Sequence, residues 1–143
     1  SLEPASIYTK KLRAKGELLT HNKDQSVMVF LELDKLIETN FSPVNRNATL
    51  GDLVHIVSSS TRNVFPVVKN DGEFVGIILL DDIRTDMFDH RKYKFPISKY
   101  ITQPPDVILK NEMISEGVGK FEESHAWNLP GVDKNRKYLG FVS

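Results

Sequence analysis

The sequence states one pattern twice. Adding 64 to a residue number carries Leu36 to Tyr100, Ile37 to Ile101, Val44 to Ile108, Leu50 to Ile114, Val54 to Val118, Val57 to Phe121, Ser60 to Ser124, Pro66 to Pro130, Val68 to Val132 and Gly76 to Gly140 without a gap. Apolar positions, a proline and a glycine held in one register constrain the fold more tightly than composition does. Each copy is a small unit with an apolar face it cannot bury alone, so two copies are expected to cover one another.

Within the first copy the most informative stretch runs from Asn63 to Ile83. Two runs rich in Val, Ile and Phe flank Asn70-Asp71-Gly72, whose turn chemistry supplies a positive φ, so a β-hairpin is expected. Asp81 and Asp82 then stand where an N-cap would be, opening a helix that runs to about Phe88. Upstream, Leu50, Leu53, Val54 and Val57 fall at i, i+3, i+4 and i+7, one face of an amphipathic helix over 47–60. Val27 to Leu33 reads as a buried strand, Asp34 as the cap of one helical turn, and Phe41 to Val44 as extended chain ahead of that helix. A short helix over 6–15, ended by Gly16, and a polar stretch over 17–26 precede these. Asp89 to Lys94 reads as a solvated, charged connection between the copies. In the second copy Gly117 and Gly119 lie inside the helix, each costing about 1 kcal/mol relative to Ala.

Composition serves mainly to exclude. The chain has 143 residues, with 19 basic and 19 acidic. That balance removes a whole-chain electrostatic case for nucleic acid or an anionic membrane, although a local basic patch remains open. No cysteine is present, so disulfides, thiolate metal sites and cysteine nucleophiles are excluded. The longest apolar run, Val27 to Leu31, is far short of the roughly 20 residues a membrane helix needs. His21, His55, His90 and His125 lack ligand spacing, so no metal site is expected. Glycine-rich phosphate loops and nucleophile elbows are missing as well, and a non-enzymatic role is expected.

Phe65-Pro66-Val67-Val68 with Val75-Gly76-Ile77-Ile78, and Leu129-Pro130 with Leu139-Gly140-Phe141-Val142-Ser143, resemble the two hairpin strands of the CBS domain, named after cystathionine β-synthase. Two copies imply a CBS pair: an α+β fold of tandem β-α-β-β-α repeats related by an internal pseudo-twofold. On this reading residues 1–33 are a linker helix and leading strand, 34–95 the first CBS domain and 96–143 a second one, truncated at its C-terminus. The resemblance implies no required cofactor, but an adenine nucleotide (ATP, ADP or AMP) as regulatory ligand in clefts between the copies. Carried residue by residue, the ribose carboxylate falls on Asp82, with Val64 and Pro66 bordering the base slot. In the second copy Ala126, Trp127 and Pro130 border it. An ionised carboxylate suits a ribose diol because it accepts two hydrogen bonds at once. Two departures stand out: Leu79 replaces the hydroxyl that usually follows the Gly-hydrophobic-hydrophobic run, and Gly131 stands where the strand usually has Val. Asp82 keeps a second reading as a helix cap, and Trp127 one as a packing or dimer-surface residue. Arg46 and Arg84 have two readings as well, phosphate contact or surface charge.

Ser6 to Leu12, Gly16 to Asp24 and Trp127-Asn128-Leu129-Pro130 are similar to the cytoplasmic linker and CBS pair of CLC-type chloride channels and transporters. This second resemblance implies a regulatory fragment of a longer membrane protein, at the cytoplasmic face of the membrane. Its partners would be a second copy, as a homodimer, and the transmembrane part of the same parent chain, with no nucleic acid. Nucleotide binding would bias transport gating. Two alternatives remain: a ligand-free dimerisation module, or a CBS pair from another parent such as an enzyme or a different transporter.

Overall fold

The computed structural model describes residues 30–143. The helix expected over 6–15, the polar stretch after it and the first three residues of the strand expected from Val27 lie outside them. In chain order the described strands and α-helices are β1 (Ile37–Glu38), β2 (Val44–Asn45), α1 (Leu50–Ser58), β3 (Val64–Val68), β4 (Phe74–Leu79), α2 (Leu80–Ile83), β5 (Ile108–Leu109), α3 (Ile114–Ser124), β6 (Leu129–Val132) and β7 (Tyr138–Val142). They form two compact units. Thr39–Pro104 with Asn135–Tyr138 make one, the Thr39 unit; residues up to Glu38, Pro105–Lys134 and Leu139–Ser143 make the other, the Pro105 unit.

The Thr39 unit carries a sheet of order β2-β3-β4. β2 is parallel to β3 and α1 is the crossover between them, while β3 and β4 form the antiparallel hairpin. Gly72 turns that hairpin at φ +89°, the conformation for which a missing Cβ is an advantage. Helix α1 starts at Leu50 rather than Asn47 because Thr49 and Asp52 close a reciprocal capping box: the Asp52 amide donates to Thr49 Oγ1 at 3.3 Å and the Thr49 amide to Asp52 Oδ2 at 3.0 Å. Its apolar stripe seats Leu50 and Leu53, fully buried, against Phe65, Val67, Ile78, Ile83, Ile97 and Tyr100.

The Pro105 unit repeats the scheme with sheet order β1-β7-β6-β5. The parallel pairs of Val44 with Val67 and Asn45 with Val68 recur, 64 residues on, as Ile108 with Gly131 and Leu109 with Val132. Leu31, Leu33, Ile108, Ile114, Phe121, Leu129 and Val142 form its core. Its two helix glycines sit in α3 as read from the sequence.

The units do not follow the boundaries of the sequence repeats, since each takes its leading segment from ahead of the other repeat. β1 pairs antiparallel with β7 (Ile37 with Val142, Glu38 with Phe141). The equivalent bridge in the Thr39 unit joins Thr102 to Ile77. This pairing explains the repeated glycine. A Cβ on Gly76 would stand 2.8 Å from Thr102 O and Ile101 Cγ2; one on Gly140, at φ +149°, would stand 2.7 Å from Glu38 O. Only a residue without a side chain lets the leading segment lie so close to the hairpin.

Several local expectations are corrected. Leu33–Lys35 is a 3-10 turn, not the end of a strand, and its N-cap is Glu32, with Asp34 inside the turn. Strand structure after Phe41 begins only at Val44, although Phe41 itself is buried. The helix after the first hairpin is a single turn, Leu80–Ile83, followed by a 3-10 turn at Asp86–Phe88. Asp89 to Lys94 is no loose connection: His90–Lys92 is a further 3-10 turn, the Gly51 amide donates to Tyr93 O at 3.0 Å, and Tyr93 Oη donates to Met87 O at 2.8 Å.

Candidate functional site

In the Thr39 unit the candidate residues gather at one end of the sheet because of the hairpin register. Val64, at the start of β3, stands opposite Leu79, the last residue of β4, and Pro66 stands opposite Ile77. The chain then turns directly into α2, and the Leu80 amide donates to Asn63 O at 2.8 Å, tying the helix start to the entry of β3. Val64 and Pro66 are buried, whereas Asp82 is exposed in the first turn of α2. Asp82 does not cap that helix. The N-cap is Leu79, in extended conformation and with no side-chain bond, because a leucine offers the orphan amides no acceptor. The Asp82 carboxylate makes no hydrogen bond or ion pair with any described residue, while its neighbour Asp81 is taken by Arg84 at 2.7 Å. Leu79, in place of a hydroxyl, is 38 % exposed.

Four residues beyond Asp82, Asp86 anchors the chain that follows. Its Oδ1 accepts from Lys92 Nζ at 2.8 Å and its Oδ2 from Tyr100 Oη at 2.7 Å. The Lys92 ammonium and then the Tyr100 hydroxyl hold its carboxyl below the usual range. Tyr100, buried and donating to that carboxylate, is pushed up to about 12. Nothing in the residue pattern marked this hub, because its members are 6 and 14 residues apart. Arg62 escaped notice too. It lies over the Phe41 ring at 4.3 Å and donates to Asn40 Oδ1 at 2.6 Å, a cation–π placement that desolvation strengthens. The 64-residue offset was the available signal, since it makes Arg62 the counterpart of Ala126.

In the Pro105 unit, α3 ends on His125 in the left-handed conformation, φ 56°. That places Ala126 and Trp127 in the segment leading to β6. Ala126 is half-buried and its amide donates to Ser124 Oγ at 3.2 Å; Trp127 is 53 % exposed; Pro130 is buried within β6. Ser143, the counterpart of Leu79, donates its hydroxyl to Glu38 Oε1 at 2.8 Å. Gly131, in place of the usual Val, faces Leu33, whose Cδ2 lies 3.1 Å from where a Cβ would be, so Leu33 fills the space the missing side chain leaves. Arg46 is exposed, and the Arg84 side chain is the partner of Asp81. Among the described residues no group of three His, Cys, Asp or Glu is placed to hold a metal, and no helix is long and apolar enough to cross a membrane.

The repeated β-α-β-hairpin units, with a glycine in each under an incoming segment, define the mixed α+β fold of a CBS-domain pair. Residues 33–89 match the family model for the CBS domain. Among solved structures the chain is similar to a CBS domain pair/ACT domain protein from Thermotoga maritima (20 % identity, TM-score 0.62, 79 % of this chain and 89 % of that one). It is similar to the cytosolic domain of the Mg2+ channel MgtE in complex with ATP (15 % identity, TM-score 0.63), spanning 76 % of this chain but only 44 % of that one. A third similar structure is CBSX2 in complex with AMP (17 % identity, TM-score 0.58, 76 % of this chain and 84 % of that one). No curated protein sequence matches the chain.

Proposed function

We propose that this chain is a regulatory CBS-pair module that senses an adenine nucleotide, with Asp82 accepting the ribose hydroxyls and Val64 and Pro66 bordering the base. The observation that carries the reading is the Asp82 carboxylate: exposed, without a partner among the described residues, and set by the β3–β4 register at the same sheet end as Val64. A carboxylate with both oxygens free can accept two hydroxyl donors without breaking a bond of its own. Ala126, Trp127 and Pro130 are the corresponding positions of the Pro105 unit. Two structures of similar fold hold ATP and AMP, which supports this ligand class. Regulation then follows from linkage, since a nucleotide favouring one of two arrangements shifts the equilibrium by its differential affinity alone. The similarity of the sequence to CLC-type linkers supports a parent that is an anion channel or transporter, with the module as a homodimer at its cytoplasmic face.

A second reading, a ligand-free dimerisation module, is favoured by Leu79 in the hydroxyl position and by the exposed Trp127 ring. Calorimetric titration with ATP, ADP and AMP separates the two. Saturable binding that Asp82→Ala abolishes, with the fold of the variant intact by circular dichroism, is expected on the first reading. Heats of dilution alone at millimolar nucleotide overturn it in favour of the second.

A further inference from the structure

From Asp86 to Lys99 stand four Lys or Arg residues against two acidic ones, a local basic excess in a chain whose 19 basic and 19 acidic residues balance overall. Both acids are consumed internally: Asp86 by Lys92 and Tyr100, and Asp89 by Arg91, whose Nε and Nη2 each lie 3.0 Å from it. Lys94 is exposed and has no hydrogen bond or ion pair among the described residues. Lys99 is exposed and lies over the Phe95 ring at 4.3 Å. The same segment carries Phe88, 75 % exposed, the most exposed of the large apolar side chains described. The segment is also preorganised. Its 3-10 turns are pinned to the Thr39 unit through Tyr93 and Phe95, whose carbonyls accept from the Gly51 and Leu50 amides at 3.0 and 2.8 Å.

We propose that this surface, from Asp86 to Lys99, docks on an anionic phospholipid bilayer, with Phe88 entering the headgroup region and Lys94 and Lys99 meeting lipid phosphates. Charge complementarity selects an anionic partner. The bare Phe88 ring selects a bilayer over a polyphosphate strand, because an aromatic group gains by entering an interface that is apolar on one side and wet on the other. The proposal stands apart from nucleotide sensing and uses none of its residues.

The test is flotation of the whole chain with vesicles of phosphatidylcholine alone, or with roughly one-third phosphatidylserine. Binding is expected only with the anionic lipid and is expected to fall steeply with salt. Lys94→Glu and Phe88→Ser are each expected to weaken it roughly tenfold; both positions are solvent-facing, and the fold of each variant is checked by circular dichroism. Lys134→Glu, the same charge reversal at an exposed lysine of the Pro105 unit, is expected to leave binding unchanged. Equal binding to both vesicles, an equal loss from Lys134→Glu, or tighter retention by duplex DNA that Phe88→Ser does not affect would each overturn the proposal.

Discussion

The Pro105 unit contains a charged pair that its core cannot easily lose. Glu112 is the one charged residue counted among the buried positions described, with its side chain 4 % exposed against 22 % for Lys120. Its Oε1 accepts from the Leu109 amide at 2.7 Å and from Lys120 Nζ at 3.2 Å. Oε2 lies 3.0 Å from the same ammonium, an ion-pair contact without hydrogen-bond alignment. Lys120 also donates to Val107 O at 2.8 Å. Glu112→Ala strands the largely buried Lys120 ammonium and leaves the Leu109 amide without its acceptor. Breaking one side of a buried pair costs about 3–5 kcal/mol, and because Lys120 keeps Val107 O and some water, the expected loss is near the lower end, about 3 kcal/mol. For a chain of this size that is a fall in melting temperature of roughly 6–12 °C. Glu112→Gln keeps the acceptor for Leu109 and loses only the charge, so it is expected to cost about 1–2 kcal/mol. Glu112→Leu with Lys120→Met removes both charges but takes away the acceptor of the Leu109 amide and the donor to Val107 O, a cost of about 1–3 kcal/mol for each group left unsatisfied. Urea titration followed by circular dichroism reads all three. A Glu112→Ala loss below about 1 kcal/mol, of the size expected for an exposed pair, would refute the argument.

Other outcomes follow from the same geometry. Gly140→Ala forces a Cβ to within 2.7 Å of Glu38 O at φ +149°, so a loss of more than about 2 kcal/mol in thermal melts is expected; a neutral result would mean that β1 does not lie against β7. Arg136, the counterpart of Gly72, is held at φ 63°, so Arg136→Gly is expected to raise stability by about 1 kcal/mol, read from the urea midpoint. Asp86 carries a lowered pKa from Lys92 and Tyr100. Its contribution to stability is present above the ordinary carboxyl range and is lost as pH falls through the lowered value, so Asp86→Asn is expected to flatten the acid limb below about pH 4. Tyr100 has the opposite sign. Its neutral form is favoured in the fold, so its contribution holds below its ordinary 10.0 and is lost as pH rises through about 12, visible as a late phenolate in an alkaline absorbance titration that Tyr100→Phe removes.

Much of the fold was legible in the sequence because the signals were long. A hairpin with Asn-Asp-Gly at its turn, a four-point apolar stripe and a 64-residue offset are each carried by many residues, and the parallel strand pairs recur at that offset. What escaped was carried by few. A two-residue strand such as Ile37–Glu38 has no pattern to say which hairpin it joins, and only the glycine it lies against hints at a partner. Capping at Asp82 failed because sequence shows an acid near a helix start but not which residue leaves the extended conformation last; that residue is Leu79. The run from Asp89 to Lys94 reads as solvated charge in any periodicity scheme, yet Asp86, Lys92 and Tyr100 fold it into a fixed turn. Of the candidate positions, Val64, Pro66 and Asp82 were reachable only through resemblance, since nothing in their spacing distinguishes a ligand-facing carboxylate from a surface one.

The two units share a backbone scheme but not the side chains at the corresponding positions, and the differences run in one direction. Where the Thr39 unit has Val67 packed into its core, the Pro105 unit has Gly131 with Leu33 moved into the space. Where one has Gly72 at its turn, the other holds Arg136 in a left-handed conformation. Arg62, folded over Phe41, answers to Ala126, and Leu79 answers to a Ser143 hydroxyl already engaged by Glu38. A free carboxylate at the sheet end, the feature on which the nucleotide reading rests, is present in the Thr39 unit as Asp82. At the Leu79-equivalent position of the Pro105 unit, the Glu38 carboxylate already accepts the Ser143 hydroxyl. The nucleotide reading therefore rests on Asp82 in the Thr39 unit, and Asp82→Ala is the variant that tests it.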